Sequence, residues 1–178
     1  MERNIIEKNE EGIRCQSNIV GNKIISNTII NNTQEGISTY EYGDNSLNFL
    51  IYNNTIAYNT DGIKIDGYSS DPQVSNFTIC YNRIYNNTDD GIELGKSNNT
   101  IKYNNISNNN NRGIFISSIS ENNTVHHNEF IENSINVESQ GSPNWFNTST
   151  AGNFWADYTG VDADDNYIGN ESVTCPET

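Results

Sequence analysis

Residues 54–65 read Asn-Thr-Ile-Ala-Tyr-Asn-Thr-Asp-Gly-Ile-Lys-Ile (NTIAYNTDGIKI). The order returns as NRIYNNTDDGIEL at 82–94 and as NNISNNNNRGIFI at 104–116. With Φ for an apolar residue, the shared template is Φ-x-x-N-x-Φ-x-x-N, a short spacer, then Gly-Ile. Copies begin at Met1, Ile24, Ile51, Ile79, Ile101 and Val125, at intervals of 23, 27, 28, 22 and 24 residues; the last lacks the glycine. Self-similarity at such a period marks a solenoid, in which each repeat buries its apolar face only against its neighbours.

Composition says which solenoid. The 178 residues include 34 Asn and 24 Ile. Ile is a strong strand former, whereas Asn is depleted in strands and favoured in turns. Ala- and Leu-rich windows are nearly absent, which excludes helical repeats. The expected fold is all-β: a right-handed single-stranded parallel β-helix of about six coils of 22–28 residues. Coils stacked at about 4.8 Å give a rod roughly 29 Å long.

Stacking places equivalent asparagines in files. Asn4, Asn27, Asn54, Asn82, Asn104 and Asn128 form one expected ladder; Asn9, Asn32, Asn59, Asn87, Asn109 and Asn133 form the other. Carboxamides at that spacing bond one another and the neighbouring coil's backbone. The repeat glycine suits either a positive φ or a close backbone approach. Residues 1–139 are read as the repeats. Residues 140–178, where the template stops and Trp145, Phe146, Phe154, Trp155, Tyr158 and Tyr167 gather, are read as an irregular aromatic C-terminal cap and tail of the same domain. The longer intervals place insertions at 41–46 and 67–73, on one edge.

The net charge of −14, with only nine basic residues, excludes nucleic acid as the expected partner. No apolar run is long enough to span a membrane, and MERNIIEKNEEG has no signal-peptide core. The template is already running at Met1, so the expectation is a fragment or processed form of a longer exported chain. Its expected location is extracellular or at the cell surface.

The repeats, together with GNFWADYTGVDADDNYIG at 152–169, resemble the NosD-like, carbohydrate-binding parallel β-helix repeat family. The resemblance covers residues 1 to about 170 and implies the β-helix fold and export. NosD proper is associated with maturing the copper site of a periplasmic reductase. One Met, two adjacent His and three scattered Cys are poor provision for copper, so that role is not carried over.

Several residue sets are candidates for function. Tyr81, Tyr103 and His127 share one column, with Tyr52 and Tyr58 nearby; aromatic faces stack on sugar rings. Glu11, Glu35, Asp61 and Asp90 precede the repeat glycine and Arg112 follows in the same place, giving a turn expected to be solvated. Of these, Asp61 and Asp90 join Tyr81 and Tyr103 as carbohydrate-binding candidates. In the cap, Asp162, Asp164, Asn166, the Ile168 carbonyl and Asn170 follow the oxygen-ligand spacing of a Ca²⁺ loop, although Tyr167 stands where such loops need glycine. Asp89-Asp90, Lys64-Glu93 and His126-His127 lack the partners of an acid–base pair, and no residue is assigned a catalytic role.

Nine N-x-[ST] triplets begin at Asn31, Asn53, Asn76, Asn86, Asn98, Asn105, Asn122, Asn147 and Asn170; composition alone supplies about six. They are candidate N-glycosylation sites. Cys15 and Cys175 lie near opposite ends and pair only between stacked subunits, the candidate intersubunit disulfide; Cys80 is the third cysteine. The expected function is a structural surface protein binding polysaccharide or other envelope components and assembling end to end into filaments. The alternative is a polysaccharide lyase, hydrolase or epimerase working on the strand face.

Overall fold

A computed structural model describes residues 1–16, 20–41, 48–67, 76–149, 151–157 and 159. The first coil gives β1 (Ile5–Glu7) and β2 (Ile13–Gln16). The second gives β3 (Lys23–Ile25), β4 (Thr28–Ile30) and β5 (Ile37–Glu41), and the third β6 (Leu50–Tyr52), β7 (Thr55–Ala57) and β8 (Ile63–Gly67). The fourth gives β9 (Thr78–Cys80), β10 (Arg83–Tyr85) and β11 (Ile92–Leu94). The fifth gives β12 (Thr100–Lys102), β13 (Asn105–Ser107) and β14 (Arg112–Ile116), and the sixth β15 (Thr124–His126), β16 (Glu129–Ile131) and β17 (Ile135–Ser139). A two-residue β18 (Phe154–Trp155) follows.

Every named strand pair is parallel, and each strand pairs with its counterpart one coil away. Three sheets result: seven strands (β1-β4-β7-β10-β13-β16-β18), six (β17-β14-β11-β8-β5-β2) and five (β15-β12-β9-β6-β3). This is the parallel β-solenoid the repeat predicts, with no helix among the described residues.

The template maps onto the cross-section residue by residue. In the three-residue strands of the five- and seven-stranded sheets only the middle side chain points inward. Ile24 and Ile29, five apart, are therefore both buried, and so are Ile51 and Ile56, Ile79 and Ile84, Ile101 and Ile106. Removing such a side chain from water contributes roughly 1.5–3 kcal/mol. After each strand one residue turns the chain in the left-handed region, among them Ser26, Asn31, Asn53 and Asn86 at φ 54, 57, 55 and 53°. The next residue is the ladder asparagine.

Both ladders are present. Asn54 shows the bonding: its Oδ1 accepts from the Asn27 backbone N–H at 2.8 Å and from Asn27 Nδ2 at 3.1 Å. Its Nδ2 reaches the carbonyls of Ile24 and Tyr52 and the Oδ1 of Asn82 at 3.0, 3.1 and 3.0 Å. The first file runs from Asn4 to Asn128, and the second from Asn9 to Asn133.

The structure corrects one expectation and decides another. The register does not stop near residue 140. Asn153 accepts from Asn128 and extends the first ladder. Trp155 pairs with Phe130 and stacks on its ring at 4.7 Å, closing the inner file. Of the two roles open to the repeat glycines, positive φ is not the one used: among the described glycines only Gly21 shows it. A Cβ on Gly36, Gly62 or Gly91 would lie 2.7, 2.5 or 2.6 Å from the next glycine's carbonyl oxygen, so close approach is the requirement.

Asn82→Ala would leave the Asn54 backbone N–H without its acceptor, take one of three acceptors from Asn54 Nδ2, and withdraw a donor from the carbonyls of Ile51 and Cys80. Urea unfolding is expected to show a loss of about 3 kcal/mol or more, because each stranded buried group costs about 1–3 kcal/mol. Asn9→Ala, at the exposed ladder end, is expected to cost less than about 1 kcal/mol.

Candidate functional site

The corner between the five- and seven-stranded sheets is built by Arg3, Ser26, Asn53, Tyr81, Tyr103 and His127, all left-handed at φ 54 to 57°. Asn tolerates that conformation well, whereas a bulky side chain there costs roughly 1–2 kcal/mol. Tyr81, Tyr103 and His127 accept the cost in three successive coils. The fold imposes this conformation at every such corner, filled elsewhere by Lys8, Tyr58 and Glu132, so what singles out this column is its run of exposed aromatic rings.

Their rings form a continuous wall. Tyr81 and Tyr103 stack at 5.0 Å with 16° between planes, and Tyr103 meets His127 at 4.7 Å. Tyr52, at the end of β6, meets Tyr81 edge-on at 5.6 Å. The wall is not core packing: Tyr81 is 52% exposed and Tyr103 40%. Tyr58 stands at the other corner of the seven-stranded sheet, where it meets Tyr85.

Beside the wall lies an open groove of about 560 Å³, lined by Tyr81, Arg83, Tyr103, Asn105, Ser107 and Ile131 among others. Its floor is the outward face of β10, β13 and β16, where Arg83, Asn105 and Glu129 are in register, as are Tyr85, Ser107 and Ile131. Arg83 lies over the Tyr85 ring at 4.5 Å. Asn105 is oriented at both ends, donating from Nδ2 to the Glu129 carboxylate and accepting from Ser107 Oγ at 3.2 Å. Periodicity had no means of singling out Arg83, because the residue after each ladder asparagine varies from coil to coil. Only the register shows it to be the groove's cation.

The acidic column occupies a different edge, where the chain enters the six-stranded sheet. Asp61 and Asp90 are therefore not brought to Tyr81 and Tyr103. Nor is this turn solvated as expected, since Asp61 is 5% and Asp90 1% exposed. Asp61 Oδ1 accepts the Asp90 backbone N–H at 3.0 Å, and Asp90 accepts from Arg112 at 2.9 Å. Lys64 Nζ lies 2.5 Å from Glu93 and 3.8 Å from Asp61, and Arg112 also reaches Glu138 at 3.2 Å. Asp61, Asp89 and Asp90 bring carboxylate oxygens within 4.8 Å of one another.

Burial pushes the Asp61 carboxyl up to about 6 against the Asp90 N–H and the Lys64 charge. Burial alone would lower Lys64, but its hydrogen bond with Glu93, Glu93's charge and that of Asp61 raise it to about 12. Burial likewise raises Asp90, opposed by Arg112. A lysine held so firmly protonated is a poor proton abstractor. Burial, His127 and Lys102 lower His126.

The remaining sequence candidates divide. The calcium-type loop from Asp162 to Asn170, Cys175 and the insertions beyond Glu41 and Gly67 lie outside the described residues. Cys15 is half-buried on β2 and Cys80 buried on β9, both free thiols. Six triplets have a structural origin. Asn31, Asn53, Asn76, Asn86, Asn98 and Asn122 are left-handed corner residues, followed by an inward position and then a threonine. The excess over chance thus follows from the cross-section.

A third ladder was missed. Asn99 bonds Asn123 and Asn123 bonds Asn144, each through Nδ2 at 2.9 Å. In earlier coils this file holds Phe49 and Phe77, stacked at 5.0 Å, and the Phe77 N–H donates to Asn99 Oδ1. The clue was there: Asn-Asn-Thr at 98–100 and 122–124 repeats the triplet at 53–55.

The profile of the family described as "Periplasmic copper-binding protein (NosD)" matches residues 1–160. No curated protein matches the sequence. Among solved structures, the periplasmic alginate epimerase AlgG superposes with a TM-score of 0.53 at 24% identity, over 71% of this chain and 28% of that one. A single-substitution variant of AlgG gives 0.58 at 24%, over 76% and 31%. The A-module of the Azotobacter vinelandii mannuronan C-5 epimerase AlgE6 gives 0.42 at 14%, over 81% and 56%. The chain thus spans under a third of the AlgG structures' length, and at these identities the likeness concerns the fold.

The described soft donors do not fit a copper centre, which favours imidazole, thiolate and thioether together. His126 and His127 face each other through Nδ1 at 2.6 Å. Cys80 is two coils from His126 in the same column, with Lys102 between. Cys15 and Met1 belong to the first coil.

The raised Asp61 gives a signed pH effect. A carboxyl whose pKa is higher in the folded than in the unfolded chain stabilises below its unfolded value and loses that contribution as pH rises through its folded value. Between pH 4 and 8 this amounts to about 2 kcal/mol. Asp61→Asn, which keeps the acceptor for Asp90, is expected to raise the urea midpoint over wild type at pH 8 and to match it at pH 4.

Proposed function

The chain belongs to the NosD family, and from that premise we propose that it is a cell-envelope β-helix that binds polysaccharide along its seven-stranded sheet. The observation that carries this reading is the stacked pair of exposed Tyr81 and Tyr103 rings beside an open groove lined by three successive coils. A tyrosine offers a large rigid face with little side-chain entropy to lose, and that face complements the apolar face of a pyranose. Coils repeat at about 4.8 Å, so a linear sugar chain laid along the axis meets a new set of outward groups at each step, Arg83, Asn105 and Glu129 in turn. An envelope location is supported by the family's periplasmic description and by the periplasmic epimerase of the same fold.

The binding reading is favoured over catalysis by the state of the charged groups. Lys64 and Arg112 are each engaged by two carboxylates, which leaves neither poised to move a proton.

Affinity electrophoresis against a panel of neutral and acidic polysaccharides tests the proposal. Tyr103→Ala is expected to weaken binding about tenfold, consistent with about 1–3 kcal/mol for a stacked ring, while Tyr103→Phe keeps it. Equal retardation of Tyr103→Ala and wild type would refute the groove as the binding site. Unsaturated or epimerised uronates in the same incubations would reassign it as an active site.

A further inference from the structure

We propose that the groove is specific for anionic sugar chains, with the Arg83 guanidinium gripping a uronate carboxylate while Tyr103 carries the ring. This rests on the groove reading above and names its ligand class. The chain has a net charge of −14 and nine basic residues. Lys8, Arg14, Lys64 and Arg112 are in ion pairs with carboxylates, Lys96 is buried, and Arg3 and Lys23 belong to the first two coils, away from the groove. Arg83 and Lys102 form no ion pair among the described residues, and both stand at the aromatic wall. Arg83 is exposed on the groove floor over Tyr85. Lys102 Nζ lies 5.9 Å from the Tyr103 ring centroid.

Their surroundings leave both charges unopposed. Arg83 is flanked across the sheet by Thr55 and Asn105, both uncharged. Lys102 is flanked by Cys80 and His126. Burial raises the thiol of the first, and burial lowers the imidazole pKa of the second, so both neighbours are held neutral. In so acidic a protein, two unneutralised cations on either side of one tyrosine are a designed positive spot. A guanidinium fork matches a carboxylate with two parallel hydrogen bonds, which a hydroxyl cannot reproduce. Asn105 and Ser107 supply neutral donors and acceptors for ring hydroxyls on the same floor.

The spot has an end. One coil beyond Asn105 stands Glu129, and Glu132 occupies the far corner of the same coil. Carboxylates there repel an anionic chain, so its acidic residues seat on the fourth and fifth coils. The other charged cluster lies on the six-stranded sheet, and a screening length of about 8 Å at physiological salt limits its reach.

The test compares sodium alginate, a sulfated galactan and neutral dextran as ligands for the full chain. Wild type is expected to prefer alginate. Arg83→Gln should weaken alginate about tenfold, as loss of a charge-assisted pair does, and leave dextran unchanged. Glu129→Gln should tighten alginate about twofold, an increase that a merely structural role for this residue would not produce. Dextran bound as tightly as alginate by wild type, or the sulfated chain bound in preference, overturns the anionic-uronate assignment while leaving the groove reading intact. Tyr103→Ala without effect on any ligand overturns the groove reading itself, and so does failure of wild type to bind any of the three.

Discussion

A chain that turns twice within ten residues has to find partners for backbone groups that the corner turns away from the strand ladders. The asparagine file answers that need. Each inner carboxamide fills both lone pairs from the coil on one side and spends its amide hydrogens on carbonyls and on the next carboxamide. Desolvating polar groups without partners costs more than the net worth of the bonds themselves. The ladders are therefore what permits a narrow rod to be dry inside. The isoleucine files, the glycine contacts and the flat outer sheets all presuppose coils held in that register. The C-terminal end follows the same logic. Asn153 does not hand its hydrogens to a further asparagine but gives them to the carbonyls of Val125 and Phe146, which ends the first file.

Much of this was legible in the sequence because inward positions are chemically monotonous. An apolar residue at one place and Asn at another recur where the cross-section leaves no choice, so a template recovers fold, coil number and two ladders. It failed where the same geometry admits a second solution. The third inward file accepts Phe49 and Phe77 in two coils and Asn99 and Asn123 in the next two. A search for one residue type sees neither half as a file. The apparent end of the repeat near residue 140 has a similar cause. Asn144 and Trp155 keep their places in the stack although the spacer between them no longer matches.

The outward positions were much less legible. There the fold constrains only backbone conformation, and side chains are free to differ. The column of Tyr81, Tyr103 and His127 was visible as a column, but the stacking of its rings on one another and their exposure were not. Arg83 was invisible for the opposite reason: its significance lies in what flanks it one coil up and one coil down. The acidic column misled because acidic residues before a glycine are good turn chemistry in general. Here neighbouring coils bury Asp61 and Asp90 and surround them with Lys64 and Arg112.

The rod therefore divides its labour by direction. Inward side chains repeat and carry stability, whereas outward ones vary and carry whatever chemistry the protein has. Because the coil spacing is fixed by backbone pairing, an outward file is a ruler on which groups are placed at one-coil steps with little freedom to adjust. A flexible globular site adapts its side chains to a ligand, but a solenoid face can only be matched by a ligand that is itself periodic and extended. The groove beside Tyr81 and Tyr103 is open to solvent, and the acidic corner is buried. Its carboxylates are already committed to cations and to backbone donors of the adjacent coil, and opening it to a ligand would break the stacking that holds the coils in register.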